Sequence, residues 1–241
     1  MTVSSCKCKI CGSISNLKFG LPSSKKSGHP IPEAPDDAFF FECTSCGFLF
    51  TTALDSDDHT EIYDEEYWTL QDPDLYGRVG ETLRLVMLAN ELVGKKTEDL
   101  EILDFGCGGG AFIEVCHRNL QMNVWGTDII QPKFGKDWFL PSLDGRSFDV
   151  IVACEVIEHL PDPLGSLEHM KRHLKPGGVI AFQTAYWDSN CLDRTWWYLG
   201  PGNGHISHYA AATFDFLTRH LGVSRRRIYR DYPGLQAWQF T

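Results

Sequence analysis

From about residue 78 onward, the apolar positions fall into two alternating kinds of run. Between Arg78 and Val93 they recur mostly at helical spacing, through Leu83, Val86, Met87, Ala89 and Leu92, which predicts an amphipathic helix. Ile102–Phe105, NVWGTD ending at Asp128, Val150–Ala153 and the end of LKPGGVIAFQT are short continuous apolar blocks that read as strands. Helical stretches are expected at about Ala111–Arg118 and Ala212–Leu221, with two last strands in RRRIYRDY and LQAWQF. Strands alternating with helices predict an α/β fold with a mostly parallel sheet.

Before that region the pattern changes. Five of the nine cysteines fall among the first 46 residues, and four of them form two matched knuckles, CKICG (8–12) and CTSCG (43–47). Paired C-x-x-C-G turns put both sulfurs on one side, and two of them supply the four tetrahedral thiolates that zinc prefers. Cys8, Cys11, Cys43 and Cys46 are the expected metal ligands, with Cys6 in CKCKIC as an alternative first ligand. Zinc would replace the core that so short a segment cannot build, and four thiolates leave no open position for chemistry. The expected organisation is a zinc-ribbon-like module at 1–58, a linker or cofactor lid at 59–77 and a larger domain at 78–241.

Composition narrows the partners. Hydrophobic residues at 43% and charged residues at 22% describe an ordinary globular chain of 241 residues, and the net charge of −10 disfavours a nucleic-acid footprint. No apolar signal core opens MTVSSCKCK and no run approaches membrane-spanning length, so reduced thiols and a cytoplasmic location are expected.

Candidate chemistry begins at LEILDFGCGGGAF, where a strand runs into a glycine-rich turn and then a helix, the usual place for a nucleotide-like ligand in a doubly wound sheet. Asp128 ends the next strand, where an acid can grip ribose hydroxyls. Taken in order, LDFGCGGGAF, GTD, FDVIVACEVIEHL and LKPGGVIAF resemble the class I S-adenosylmethionine-dependent methyltransferases. The resemblance covers roughly 78–241 and implies a Rossmann-like seven-stranded sheet with a reversed last strand. It implies Asp104 near the methionine amino group, Gly106, Gly108 and Gly110 around the methionyl and ribose portions, and Asp128 on the ribose. Asp137 and Trp138 would contact adenine, and Cys154 would lie near the sulfonium. Only eight residues, IIQPKFGK, separate Asp128 from Asp137, where the family fits a full helix. The knuckles joined to such a domain also resemble the sugar and related small-molecule methyltransferases.

CEVIEHLPDP (154–163) carries Glu155, Glu158 and His159. His159 could serve as general base or substrate contact. If the stretch opens a helix, Glu155, Glu158 and His159 share one face and could bind a divalent cation, with His205 or His208 of GPGNGHISHY completing the set. Small-RNA and quinone-pathway O-methyltransferases use a similar E-x-x-E-H with a divalent ion. The three residues could equally cap and orient the loop. The insert 185–209 is rich in Trp, Tyr and Gly; Trp196, Trp197 and Tyr198 could wall a substrate pocket or pack a core, with Tyr63, Tyr67 and Trp68 opposite. The expected function is methylation of a small metabolite on oxygen, carbon or nitrogen. Its rivals are an RNA or protein methyltransferase gripping its target with the zinc module, and a cofactor-binding scaffold that docks a protein partner.

Overall fold

The structure is a computed structural model that describes residues 4–55, 75–229 and 231–241. In chain order its elements are β1 (Ser5–Lys7), β2 (Ile14–Leu21), β3 (Ala38–Cys43), β4 (Leu49–Thr51), α1 (Leu75–Val93), β5 (Glu101–Phe105), α2 (Ala111–Val115), β6 (Asn123–Thr127), β7 (Phe148–Cys154), α3 (Pro163–Arg172), β8 (Leu174–Gln183), β9 (Ser207–His208), α4 (Ala211–Leu221), β10 (Val223–Tyr229) and β11 (Tyr232–Phe240). They group into two compact units. The first gathers described residues 4–55 with Ile157–Ser166 and Ala185–Leu221; the second gathers residues 75–156, Leu167–Thr184 and Gly222–Thr241.

The second unit is built on a sheet in the order β10-β11-β8-β7-β5-β6. β6, β5, β7 and β8 run parallel, and β11 is reversed between β8 and β10. The parallel strands are apolar because both faces are covered; Val150, Ile151, Val152 and Ala153 of β7 are fully buried. α1 lays Leu85, Val86, Ala89 and Leu92 into the core beside Ile102, Val124, Val152 and Ala181, while Met87 stands 65% exposed on its outer side.

Six strands, rather than the expected seven, are present among the described residues. The missing one would flank β6. There the chain makes a single parallel bridge, Gly126 to Phe139, because IIQPKFGK is too short to carry a crossover helix back to a full strand.

The first unit carries a sheet in the order β1-β2-β3-β4-β9, all antiparallel. Its last strand comes from far along the chain: Leu49 pairs with His208 and Phe50 with Ser207. A core of Leu21, Ala38, Phe40, Leu49, Ala185, Trp187, Trp196, Tyr198 and Leu199 sits against it. Of the two readings of the aromatic cluster, core packing holds for Trp196 and Tyr198, which are buried, while Trp197 is 61% exposed. Tyr63, Tyr67 and Trp68 lie outside the described residues, as does most of the 59–77 segment.

Candidate active site and metal centre

In the second unit, β5 ends at Phe105 and the chain turns through Gly106, Gly108 and Gly110, all at positive φ (74°, 53° and 80°), which L side chains adopt only with strain. Gly106 and Cys107 donate their N–H groups to Thr127 O, fastening the turn to the end of β6. Asp128 accepts from Gly108 N at 2.8 Å through Oδ2 and from Ile129 N at 2.7 Å through Oδ1. Asp104 is 5% exposed at the end of β5. Burial and the Asp128 charge push its carboxyl up to about 7, and burial raises Asp128 as well, against the backbone N–H groups that hold it. Two neighbouring acids, the more buried of them raised by the charge of the other, form a place where bound positive charge is favoured.

The loop 129–135 folds onto this turn. Phe134 N donates to Gly109 O and Gly135 N to Glu114 Oε2. A side chain at Gly110 would stand 2.2 Å from Phe134 O, so Gly110 is kept bare by its own chain as much as for a ligand. The short loop thus caps the glycine turn. Trp138 stacks on His117 with ring centroids 4.0 Å apart, and its backbone N–H is donated to Gly135 O. Asp137 is exposed in the same turn. Cys154, at the end of β7, has Sγ 4.0 Å from Glu81 Oε2, and burial raises its thiol far above the ordinary range, so it packs as a neutral group.

CEVIEHLPDP does not open a helix. Glu155 sits at φ 54°, a short 3-10 turn covers Ile157–His159, and α3 starts only at Pro163. The shared helical face expected for Glu155, Glu158 and His159 is absent, and Glu155 instead accepts from Gln183 Nε2 at 3.3 Å.

Glu158 and His159 belong to the first unit, where they meet His205. One ligand atom from each of Glu158, His159 and His205 lies within 4.8 Å of the others. Glu158 is fully buried and accepts a 2.6 Å hydrogen bond from the Tyr198 hydroxyl. His159 Nε2 stands 3.9 Å from Glu158 Oε1, and its ring meets that of His205 edge-on at 4.7 Å. His205 Nδ1 lies 2.8 Å from Tyr198 O. A carbonyl only accepts, so Nδ1 carries the proton and, in the neutral ring, Nε2 keeps its lone pair. That orientation is the one metal-binding histidines favour. His208, the other expected partner, stays out of this group: it is fully buried among Phe40, Trp196 and Tyr198, and burial and His205 drive its imidazole down to about 3.

The same unit brings Cys8, Cys11, Cys43 and Cys46 together within 4.8 Å. Sγ–Sγ separations of 3.7 Å (Cys8–Cys46) and 3.4 Å (Cys11–Cys43) approach the roughly 3.8 Å edge of a tetrahedron with Zn–S near 2.3 Å. Backbone N–H groups of Ile10, Ser45 and Cys46 point at the sulfurs, as knuckle turns require. Cys6 lies outside this set, on β1.

A family model described as a methyltransferase domain matches residues 81–223. The chain belongs to this family. Among curated proteins, this chain is 32% identical over 118 residues to a ubiquinone biosynthesis O-methyltransferase of Actinobacillus pleuropneumoniae serotype 5b, covering 40% of this chain and 48% of that protein. It is 31% identical over 119 residues to the protein of the same name in Aliivibrio fischeri, covering 40% and 46%. The matches thus span about half the length of these relatives. Among solved structures it is similar in fold to the plantazolicin methyltransferase BpumL in complex with SAH, at a TM-score of 0.51 and 16% identity over 76% of this chain and 90% of that one.

The strand-turn-helix signal places the glycine turn beside Asp104 and Asp128, and of the two histidines offered by GPGNGHISHY it is His205 that lies near His159. The ring of Tyr198 is legible as a wall or a core side chain; its hydroxyl on Glu158 and its carbonyl on His205 carry no periodic signal. Lys25, in SSKKSGH, carries the pattern of a solvated loop residue, yet it is 2% exposed.

Proposed function

We propose that this chain transfers a methyl group from S-adenosylmethionine to an oxygen, carbon or nitrogen of a small metabolite. The observation that carries the reading is the buried Asp104 beside the half-buried Asp128 at the glycine turn, which suits a ligand bearing positive charge, in a chain of the methyltransferase family. The cofactor, when bound, supplies a methyl made electrophilic by its sulfonium. Asp104 would pair with the ligand's ammonium, the glycine turn would give its backbone close approach, and Asp128 would meet the ribose. Names given to the curated relatives support a small-molecule acceptor on oxygen. The net charge of −10 supports a metabolite over a nucleic acid.

His159 is assigned as base or substrate contact. His159 would take the proton that the acceptor loses as its lone pair bonds the methyl carbon and the carbon–sulfur bond of the cofactor breaks. Glu158, 3.9 Å away, favours the imidazolium that results. A second reading has a divalent cation held by Glu158, His159 and His205, favoured by the convergence of their ligand atoms and by the His205 tautomer. Glu155 would then act only on its own strand end. The four-cysteine group is assigned to structural zinc in a module at 1–58, with 78–241 as the methyltransferase domain. A cytoplasmic setting suits the nine unbridged thiols.

Methyl-labelled S-adenosylmethionine, purified protein and size-fractionated extract test the reading, with a chelator too weak to strip thiolate zinc as a parallel arm. Label in the small-molecule fraction, lost in His159→Ala while cofactor affinity persists, is the expected result. Label confined to macromolecules overturns the metabolite reading and favours a target gripped through the zinc module. Tight cofactor binding without any label favours the scaffold. Chelator sensitivity selects the cation over the free base.

A further inference from the structure

The Glu158–His159–His205 group is held in shape from outside its own segment. Tyr198 spans it, with hydroxyl on Glu158 and carbonyl on His205, and His205 N donates to Gly200 O. The segment carrying Tyr198 and His205 is an irregular loop with a short 3-10 turn at Pro201–Asn203, so regular structure does little to fix it. It is fixed by the loop between β2 and β3. Lys25 Nζ donates to Leu199 O at 2.9 Å, between residues 174 positions apart, and also to Lys26 O. Gly202 N donates to Lys25 O, Gly28 N to Trp197 O, and Ser27 exchanges bonds with the Asn203 side chain. The two backbones are in contact: a side chain at Gly200 would stand 2.4 Å from Ser27 N, and one at Gly202 would stand 2.8 Å from the Ser24 carbonyl group.

A buried ammonium is costly unless something needs it there. Lys25 is 2% exposed, among carbonyl partners, and burial pulls its pKa down. An apolar side chain of equal length would fill the space with no desolvation cost. The ammonium adds directed bonds at the residue next to Tyr198, beside the backbone bonds that join the two loops.

We infer that Lys25 is a positioning residue for the Glu158–His159–His205 group, acting through Leu199 and Tyr198, and that the 22–28 loop of the N-terminal module is part of the active site's scaffold. The inference rests on the proposed reactive role of that group. The module then has a task beyond carrying thiolates: one end of the β2–β3 hairpin leads to the cysteine knuckles and the other sets the tautomer of His205.

The test uses the full-length protein with Lys25→Met, which keeps the stem and removes the charge. Imidazole nitrogen NMR reads the His205 tautomer, assigned with His205→Gln, and zinc content and S-adenosylmethionine affinity report integrity. Expected are loss of the fixed Nδ1–H signature and a fall of about tenfold or more in methylation of the small-molecule fraction, the scale seen when outer partners of site histidines are removed. Zinc content and cofactor affinity should hold within twofold. Retention of the Nδ1–H signature overturns the inference, whatever happens to turnover. A lost signature with unchanged methylation leaves the positioning intact and overturns the reactive role of the group. If Lys25→Met loses zinc or fails to fold, Ser27→Ala with Asn203→Ala loosens the same strap without touching the ammonium, and the same signature decides.

Discussion

The Tyr198 hydroxyl meets Glu158 Oε1 at 2.6 Å across 40 positions of chain, and both residues are buried. A short bond to a buried carboxylate couples two jobs, keeping the acid satisfied and fixing its aim. Tyr198→Phe should destabilise the protein by about 1–3 kcal/mol, since it strips a buried charge of a donor while removing little volume. Thermal melting checks the cost. Methylation should fall with it, while cofactor affinity is unchanged; wild-type turnover in this variant would remove Glu158 from the chemistry.

Asp104 gives a pH dependence with a definite sign. Its carboxyl sits at about 7 in the folded protein, against about 3.9 unfolded. The folded state therefore holds a proton that the unfolded chain releases. The stability this contributes is full below about pH 4 and is lost progressively as the pH rises through about 7. A cationic ligand competes with the same proton. S-adenosylmethionine affinity should rise about tenfold from pH 6 to pH 8 and then level off, since the ionised fraction rises by that factor around a pKa of 7. Calorimetric titration across that range reads it, and Asp104→Asn should bind weakly with no such slope. A flat profile in the wild type would mean the ligand's charge does not meet Asp104.

Cysteine removal should act on the first unit. Cys43→Ser should abolish a one-to-one zinc content and lower the melting temperature of the first unit, because the free energy of metal binding is then lost from its folding. Zinc release by a thiol reagent, followed with a colorimetric indicator, gives the stoichiometry. Full zinc content in the variant would show that Cys6 can take over as a ligand.

Gly110→Ala tests the loop that caps the glycine turn. Its φ of 80° and the 2.2 Å approach to Phe134 O leave no room for a methyl group, so loop 129–135 must lift. Strain of this kind costs about 1–3 kcal/mol. Weaker cofactor binding together with a lower melting temperature is expected; an unaltered melt would show that the loop yields freely.

Much of the doubly wound sheet was legible, because buried parallel strands are written as apolar blocks and the glycine turn has its own spelling. What was missed follows from contacts that lack a period. The seventh strand was expected from resemblance, although the eight residues of IIQPKFGK already announced that no crossover helix would fit. Glu155 was grouped with Glu158 and His159 on an assumed helix, and a left-handed backbone at a glutamate is something no spacing rule foresees. Trp196 and Tyr198 could be either wall or core from sequence, because aromatic clusters carry no label for inside or outside. His205 was found as a candidate, but its selection over His208 depends on a fold that brings it to Glu158.

The pairing of Phe50 with Ser207 has a consequence for synthesis. The first four strands leave the ribosome while their closing strand, and the loop that receives Lys25, are still untranslated. At about 5–20 residues per second the wait is roughly 10–30 seconds. During it the β4 edge is unpaired and Phe40, Phe48 and Leu49 have no cover. With zinc in the four-cysteine group as proposed, metal capture by the two knuckles, complete by Cys46, would be the event available to hold the nascent sheet through that interval. Scarcity of zinc would then be felt as lost yield in newly made chains before it touched the activity of finished ones.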